Sequence, residues 1–178
     1  MNLIIFGFQS CGKTHFGKRL AKLTHQNLID TDLMIEKLGK QIFNTDKITC
    51  REIAFKKGID FFRELEKEVI FSIPYDYQGI ISVGGGAVID SENRTKLSKL
   101  GQLVYLEADK DFVKKKIFSG PLPAYLDPQD PEESFNQIYE IRTSIYEKID
   151  AIKITINDKS EQEVLTAIKE IHLQEHTV

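Results

Sequence analysis

The sequence predicts an α/β fold, a five-stranded parallel sheet with helices on both faces. Short aliphatic runs alternate with helical stretches along the whole chain, the order that builds a parallel sheet through helical crossovers. The first run, "NLIIF", is apolar without alternation, as a strand buried on both faces must be. It leads straight into "GFQSCGKT", a glycine-punctuated turn that opens a helix. A length of 178 residues suffices for one domain with a full core, so residues 1–178 are read as a single domain.

Asn2 to Phe6 is the first strand and Thr14 to Leu23 the first helix. Leu28 and Ile29 end a second strand, stopped at "DTD", and a helix from Leu33 to Leu38 is closed by Gly39. Thr49 and Glu52 have capping-box spacing, so a helix follows to Gly58, and another spans Asp60 to Ser72. Gly79 to Val83 is a third strand ending at "GGG". Asp90 or Ser91 caps a helix to Lys99, "QLVYLEA" is a fourth strand, and "DFVKKKIF" is a helix with Lys114 to Lys116 on its wet side. Ser119 to Pro131 holds four of the five prolines and shows no period, which marks a functional loop such as a lid. A helix returns from Glu132 to Lys148. "AIKITIN" alternates like an edge strand, and a second capping box, Ser160 and Glu163, opens a terminal helix to His172.

The apolar and charged fractions, 41% and 29%, are those of an ordinary globular protein. A net charge of −3 offers no broad basic surface for nucleic acid or membrane, and no apolar run approaches the roughly 20 residues of a membrane helix. No basic leader precedes the first apolar run, so no signal peptide is expected. The two cysteines, Cys11 and Cys50, form neither a CxxC pair nor a metal cluster, and a reduced, cytoplasmic protein is the expectation.

"GFQSCGKT", Gly7 to Thr14, fits G-x-x-x-x-G-K-[ST]. Its glycines let backbone N–H groups wrap around phosphates, and the helix that follows adds the field of its N-terminus. Gly7, Gln9, Ser10, Cys11, Gly12, Lys13 and Thr14 therefore form the expected nucleotide site. Lys13 reaches the β- and γ-phosphates, and Thr14 holds magnesium. Cys11 is either a thiol activated by the helix N-terminus or a small residue that fits a crowded turn. His15 completes the set, although its place reads as helix surface.

Further on come "DTD" (Asp30 to Asp32), "FFRELE" (Phe61 to Glu66), "SVGGGAV" (Ser82 to Val88) and "IRTSIYEKID" (Ile141 to Asp150). With the phosphate loop, in this order, they resemble shikimate kinase over nearly the whole chain. The resemblance implies the P-loop kinase three-layer fold, with a helical substrate-binding insertion over residues 33–72 and a lid over residues 114–133. It implies ATP and magnesium as cofactors, a monomer, and phosphorylation of the shikimate 3-hydroxyl in aromatic amino-acid biosynthesis. It assigns Arg63 and Arg142 to the substrate carboxylate, a match to the fixed, often bidentate geometry of arginine. It puts Asp30 near magnesium and Asp32 against the acceptor hydroxyl as proton acceptor. Gly84, Gly85 and Gly86 join the substrate cradle, and Glu66 orients Arg63. On the residues alone, Arg63 and Arg142 read equally as surface ion-pair partners, one of the two aspartates as a helix cap, and Tyr146 as packing.

The match fails at the lid. The family carries an arginine before a proline-leucine pair, where this chain has Gly120, and no arginine occurs between Arg94 and Arg142. Either a lysine, Lys116 for instance, takes that place, or catalysis relies on Lys13, magnesium and backbone donors, or the function has diverged. Lys114 and Lys115 lie where the family often has a basic residue beside adenine, or form a solvated face. The nearest rival reading is a kinase for gluconate or a nucleoside monophosphate. Rivals of another class are a nucleotide switch, suggested by "DYQG" (Asp76 to Gly79), and a catalytically weak binder.

Overall fold

The computed structural model describes residues 2–174. Its sheet has five parallel strands: β1 (Asn2–Gly7), β2 (Asn27–Asp30), β3 (Gly79–Ser82), β4 (Gly101–Glu107) and β5 (Ile152–Thr155), ordered β2-β3-β1-β4-β5. The unbroken apolar run of β1 takes the centre, and every residue of it is buried. Leu3 lies between Ile80 of β3 and Gln102 of β4. β5 forms one edge, where only Ile154 is buried, in keeping with its alternation.

Eight helices complete the chain over the described residues: α1 (Lys13–Thr24), α2 (Thr31–Ile42), α3 (Cys50–Lys57), α4 (Ile59–Ser72), α5 (Ser91–Leu100), α6 (Lys110–Phe118), α7 (Pro131–Tyr146) and α8 (Glu161–Gln174). α1 packs on α8, and α4 on α5. Both capping boxes form. Glu52 N–H donates to Thr49 Oγ1 while Thr49 N–H donates to Glu52 Oε2 at 2.8 Å, and Ser160 and Glu163 repeat the exchange. Asp90, not Ser91, caps α5, accepting from the N–H groups of Glu92 and Asn93.

Several expected boundaries move. α2 passes through Gly39 to Ile42 instead of ending there. Gly39 is a packing glycine: a Cβ there would stand 2.4 Å from Ile53 Cδ1, so its absence lets α3 approach α2 closely. α7 stops at Tyr146, two residues before Lys148. α2 also begins at Thr31, two residues before Leu33. Asp30 is extended and accepts from Leu33 N–H as the cap of α2, whereas Asp32 lies in its first turn.

Two apolar clusters result. The larger surrounds the sheet. The smaller, built on Ile35, Ile48, Ile53, Phe62, Leu65 and Val69, joins α2, α3 and α4. Ala124, from the proline-rich loop before α7, packs against this second cluster. Among the described residues no helix is long and apolar enough to cross a membrane.

Candidate active site

The phosphate loop begins where β1 stops. Gly7 has φ of 146°, and a Cβ there would lie 2.5 Å from the Leu106 carbonyl oxygen, so only glycine fits between β1 and β4. The loop then turns into α1. Lys13 is buried, and its Nζ donates to the Phe8 carbonyl at 2.7 Å, arching over the loop. Thr14 Oγ1 donates to Asp30 Oδ2 at 2.6 Å, and Asp30 Oδ1 accepts from Leu33 N–H at 3.2 Å. One carboxylate thus ties the starts of α1 and α2 together. Two hard oxygen ligands side by side suit magnesium, which takes one or two protein oxygens and completes its shell with phosphate and water. Among the described residues no cluster of three or more acidic, histidine or cysteine side chains offers a self-sufficient metal cage.

The triple glycine forms the wall between two halves of the site. A Cβ on Gly85 would meet Gln9 N at 3.0 Å, on the phosphate-loop side. A Cβ on Gly84 would meet Asp32 Oδ1 at 2.7 Å and Glu66 Oε1 at 2.9 Å, on the opposite side. A Cβ on Gly86 would overlap the Arg63 guanidinium, 2.2 Å from Nη2. The turn is held by Gly84 N–H donating to Thr31 Oγ1 and by the Tyr146 hydroxyl donating to the Gly85 carbonyl. Tyr146 is therefore both core and anchor of this turn.

Arg63 donates from Nη1 to Glu66 Oε2 at 2.6 Å, and Glu66 is 1% exposed. Burial raises the Glu66 carboxyl pKa, and the Arg63 charge opposes it. Arg142, also buried, lies over the Tyr125 ring at 4.3 Å, and the Tyr125 hydroxyl donates to Gln9 Oε1 at 3.1 Å. Burial, together with the Asp30, Glu66 and Glu36 carboxylates, pushes Asp32 up to about 6 against the pull of Lys13.

These groups line one cavity of about 430 Å³, within the usual range for a small-molecule site. Gln9, Ser10, Gly12, Lys13, Thr14, His15, Asp32, Arg63, Gly84, Gly85, Gly86 and Arg142 all reach it. Gly7, Cys11 and Asp30 do not line it. Gly7 shapes the loop from behind, and Asp30 acts through Thr14. Cys11 is buried beneath the loop, and burial raises its thiol pKa, so it is the small packing residue and not an activated thiol. His15 pairs with Glu161 at 3.0 Å on the rim.

Lys114, Lys115, Lys116 and Gly120 stay outside the cavity lining. Lys114 turns to Glu132 at 3.1 Å, and Lys116 lies over the Phe112 ring at 5.6 Å. The expected lysine in place of a lid arginine is not found at Lys116, because α6 points it away. The loop itself does cover the site: Pro123, Ala124 and Tyr125 line the cavity. Tyr125 and Arg51 are lining residues with no motif to announce them. Arg51 stands two places after the capping residue Thr49, and only its chemistry, one of five arginines, could have singled it out.

A phosphate loop that opens the first helix of a parallel sheet and shares one cavity with a carboxylate and two arginines defines a P-loop kinase that acts on a small molecule. The family model for shikimate kinase matches residues 9–172, and the chain belongs to the shikimate kinase family. It is an ATP-dependent kinase that transfers a phosphoryl group to a hydroxyl. A shikimate kinase of Alkaliphilus oremlandii is 33% identical over 169 residues, covering 94% of this chain and 96% of that one. The crystal structure of the Aquifex aeolicus shikimate kinase superposes with a TM-score of 0.78 at 25% identity, over 100% of this chain and 99% of that one. An Acinetobacter baumannii shikimate kinase in complex with shikimate gives a TM-score of 0.80 at 23% identity, over 99% and 95% of the two chains.

Proposed function

We propose that the chain phosphorylates the 3-hydroxyl of shikimate, and that the two halves of the cavity divide the work. The observation that carries this reading is the convergence of Arg63, Arg142 and Asp32 across the glycine wall from Lys13 and Thr14, all in one cavity. Two arginines suit a carboxylate, and a carboxylate between them and the phosphate loop suits an acceptor hydroxyl.

In this reading Arg63, kept in place by Glu66, and Arg142, kept in place by Tyr125, hold the substrate carboxylate. The turn at Gly84 to Gly86 lets the hydroxylated carbocyclic ring lie close to backbone. Asp32 accepts the proton of the hydroxyl as its oxygen bonds to the γ-phosphorus and the bridging oxygen leaves with ADP. Lys13 exchanges the Phe8 carbonyl for phosphate oxygens. Gly7, Gln9, Ser10, Cys11, Gly12 and His15 complete the loop around the nucleotide. Thr14 and Asp30 hold magnesium, which when bound neutralises charge on the phosphate oxygens.

Residues 33–72 form the substrate-binding region and residues 114–133 the lid, within one kinase domain over 1–178. Closure excludes water from an activated phosphate. The chain works as a cytoplasmic monomer, with neither nucleic acid nor membrane as partner. The test is ADP release from magnesium-ATP with shikimate, gluconate or AMP as acceptor. Stimulation by shikimate alone is expected; stimulation by gluconate or AMP instead would reassign the acceptor.

A further inference from the structure

Five potentially cationic side chains line the cavity: Lys13, His15, Arg51, Arg63 and Arg142. Four have evident tasks or partners. Lys13 belongs to the phosphate loop, His15 pairs with Glu161, Arg63 is bound to Glu66, and Arg142 lies on Tyr125. Arg51 is different. Its Nε donates to the Leu122 carbonyl at 2.6 Å, and its guanidinium lies 4.6 Å from the centre of the Phe55 ring. Among the described residues neither of its terminal amino groups has a hydrogen-bond partner.

That arrangement fixes the plane of the guanidinium from behind and leaves its two-pronged end free. Such a fork binds two oxygens of an anion at once, and its rigidity means little freedom is lost on binding. The Leu122 carbonyl belongs to the loop over the cavity, so the fork is aimed only while that loop is in place. The loop brings no cation of its own: residues 119–130 contain no lysine or arginine, and the lysines of α6 lie outside the cavity. A phosphoryl group in transit carries its charge on three equatorial oxygens, and fixed positive charge there is a large part of catalysis.

We propose that Arg51 is a further catalytic residue, delivered from α3 and aimed by the lid loop, whose amino groups bind the phosphoryl group as it passes from ATP to the acceptor. The assignment rests on the kinase reading above. The acceptor oxygen bonds to the γ-phosphorus, the β–γ bridging oxygen departs with ADP, the hydroxyl proton goes to Asp32, and Arg51 holds the equatorial oxygens without exchanging a proton. Lysine in its place would present a point charge with no Nε to tie to the loop.

The experiment compares wild type, Arg51→Lys and Arg51→Ala by shikimate-dependent ADP release. It also measures their affinity for ADP with aluminium fluoride and shikimate, a planar mimic of the group in transit. Arg51→Ala is expected to lose about 100-fold or more in kcat with little change in the shikimate KM. Arg51→Lys should fall between, and added guanidinium ion should restore part of the Arg51→Ala rate. Affinity for the planar mimic should fall with kcat, while affinity for ADP alone stays. An Arg51→Ala enzyme within about threefold of wild-type kcat overturns the proposal, taking 10²-fold as the scale of the effect. So does a slowed variant that binds the mimic as tightly as wild type, because Arg51 is then only a clasp between α3 and the loop. A wild type that binds ATP without shikimate-stimulated turnover overturns the kinase reading, and this assignment with it.

Discussion

Asp32 is the residue on which catalysis and stability pull in opposite directions. Its carboxyl is pushed up to about 6 by burial and by neighbouring carboxylates. In its proposed role as proton acceptor it must be ionised, so kcat/KM should fall about tenfold per pH unit below about 6 and level off above, a profile that pH-dependent kinetics reads directly. The stability effect has the opposite sign. The folded chain binds the proton more tightly than the unfolded chain does, so stability falls as the pH rises from the ordinary aspartate value to the folded one, and the cost is complete above about 6. That cost is absent below the ordinary aspartate range near pH 4. Asp32→Asn should therefore stabilise the fold at pH 7 to 8 by an amount on the order of 3 kcal/mol, read as a higher Tm, and give no gain at pH 3.5. The same variant should lose most of its kcat with ATP binding little changed. An equal Tm at pH 7.5 would remove the burial penalty from the account. Only part of this was legible beforehand. "DTD" announces Asp30 and Asp32 beside a strand end, and Glu36 follows one helical turn on, but Glu66 reaches Asp32 only through the tertiary fold.

Elements show best where local signals hold and where they mislead. The strands, the two capping boxes and the phosphate loop were legible because each is a short-range pattern with a short-range cause. Gly39 was not. In sequence it reads as a helix stop, while in the molecule it is the place where Ile53 of a later helix presses in. The triple glycine is a turn by sequence and a wall by structure, and Gly86→Ala tests the wall. The new methyl group would meet the guanidinium of Arg63, the mobile end of a long side chain, so Arg63 moves and the fold survives. The shikimate KM should rise about tenfold, the loss of one charge-assisted contact, with Tm and ATP binding nearly unchanged. A variant with unaltered KM would separate Arg63 from the substrate. The loop over the cavity offers a second test through Tyr125. Tyr125→Phe keeps the ring beneath Arg142 and loses the bond to Gln9, whereas Tyr125→Ala loses both. Steady-state kinetics should show the larger rise in shikimate KM for Tyr125→Ala. Equal effects from the two would assign the whole role of Tyr125 to its hydroxyl.

At the scale of the molecule, the alternation of strand and helix carried the architecture, and the ordered motifs carried most of the cavity. The contacts that join its halves were not legible. Arg51 meets Leu122, and Tyr125 meets both Gln9 and Arg142, across separations of chain that no local pattern encodes. The same loop also feeds Ala124 into the apolar cluster of α2, α3 and α4. One short segment is thus fastened to the nucleotide side, to the acceptor side and to the helices between them. A ligand that settles this segment from one side has already met part of the ordering cost for the other. Nucleotide and acceptor should therefore bind with positive linkage, and linkage is symmetric: the factor by which shikimate tightens ADP must equal the factor by which ADP tightens shikimate. Titration calorimetry with each ligand, alone and in the presence of the other, measures both factors. Tyr125→Ala should bring both toward unity together, and independent binding in the wild type would mean that the loop covers the two sites without communicating between them.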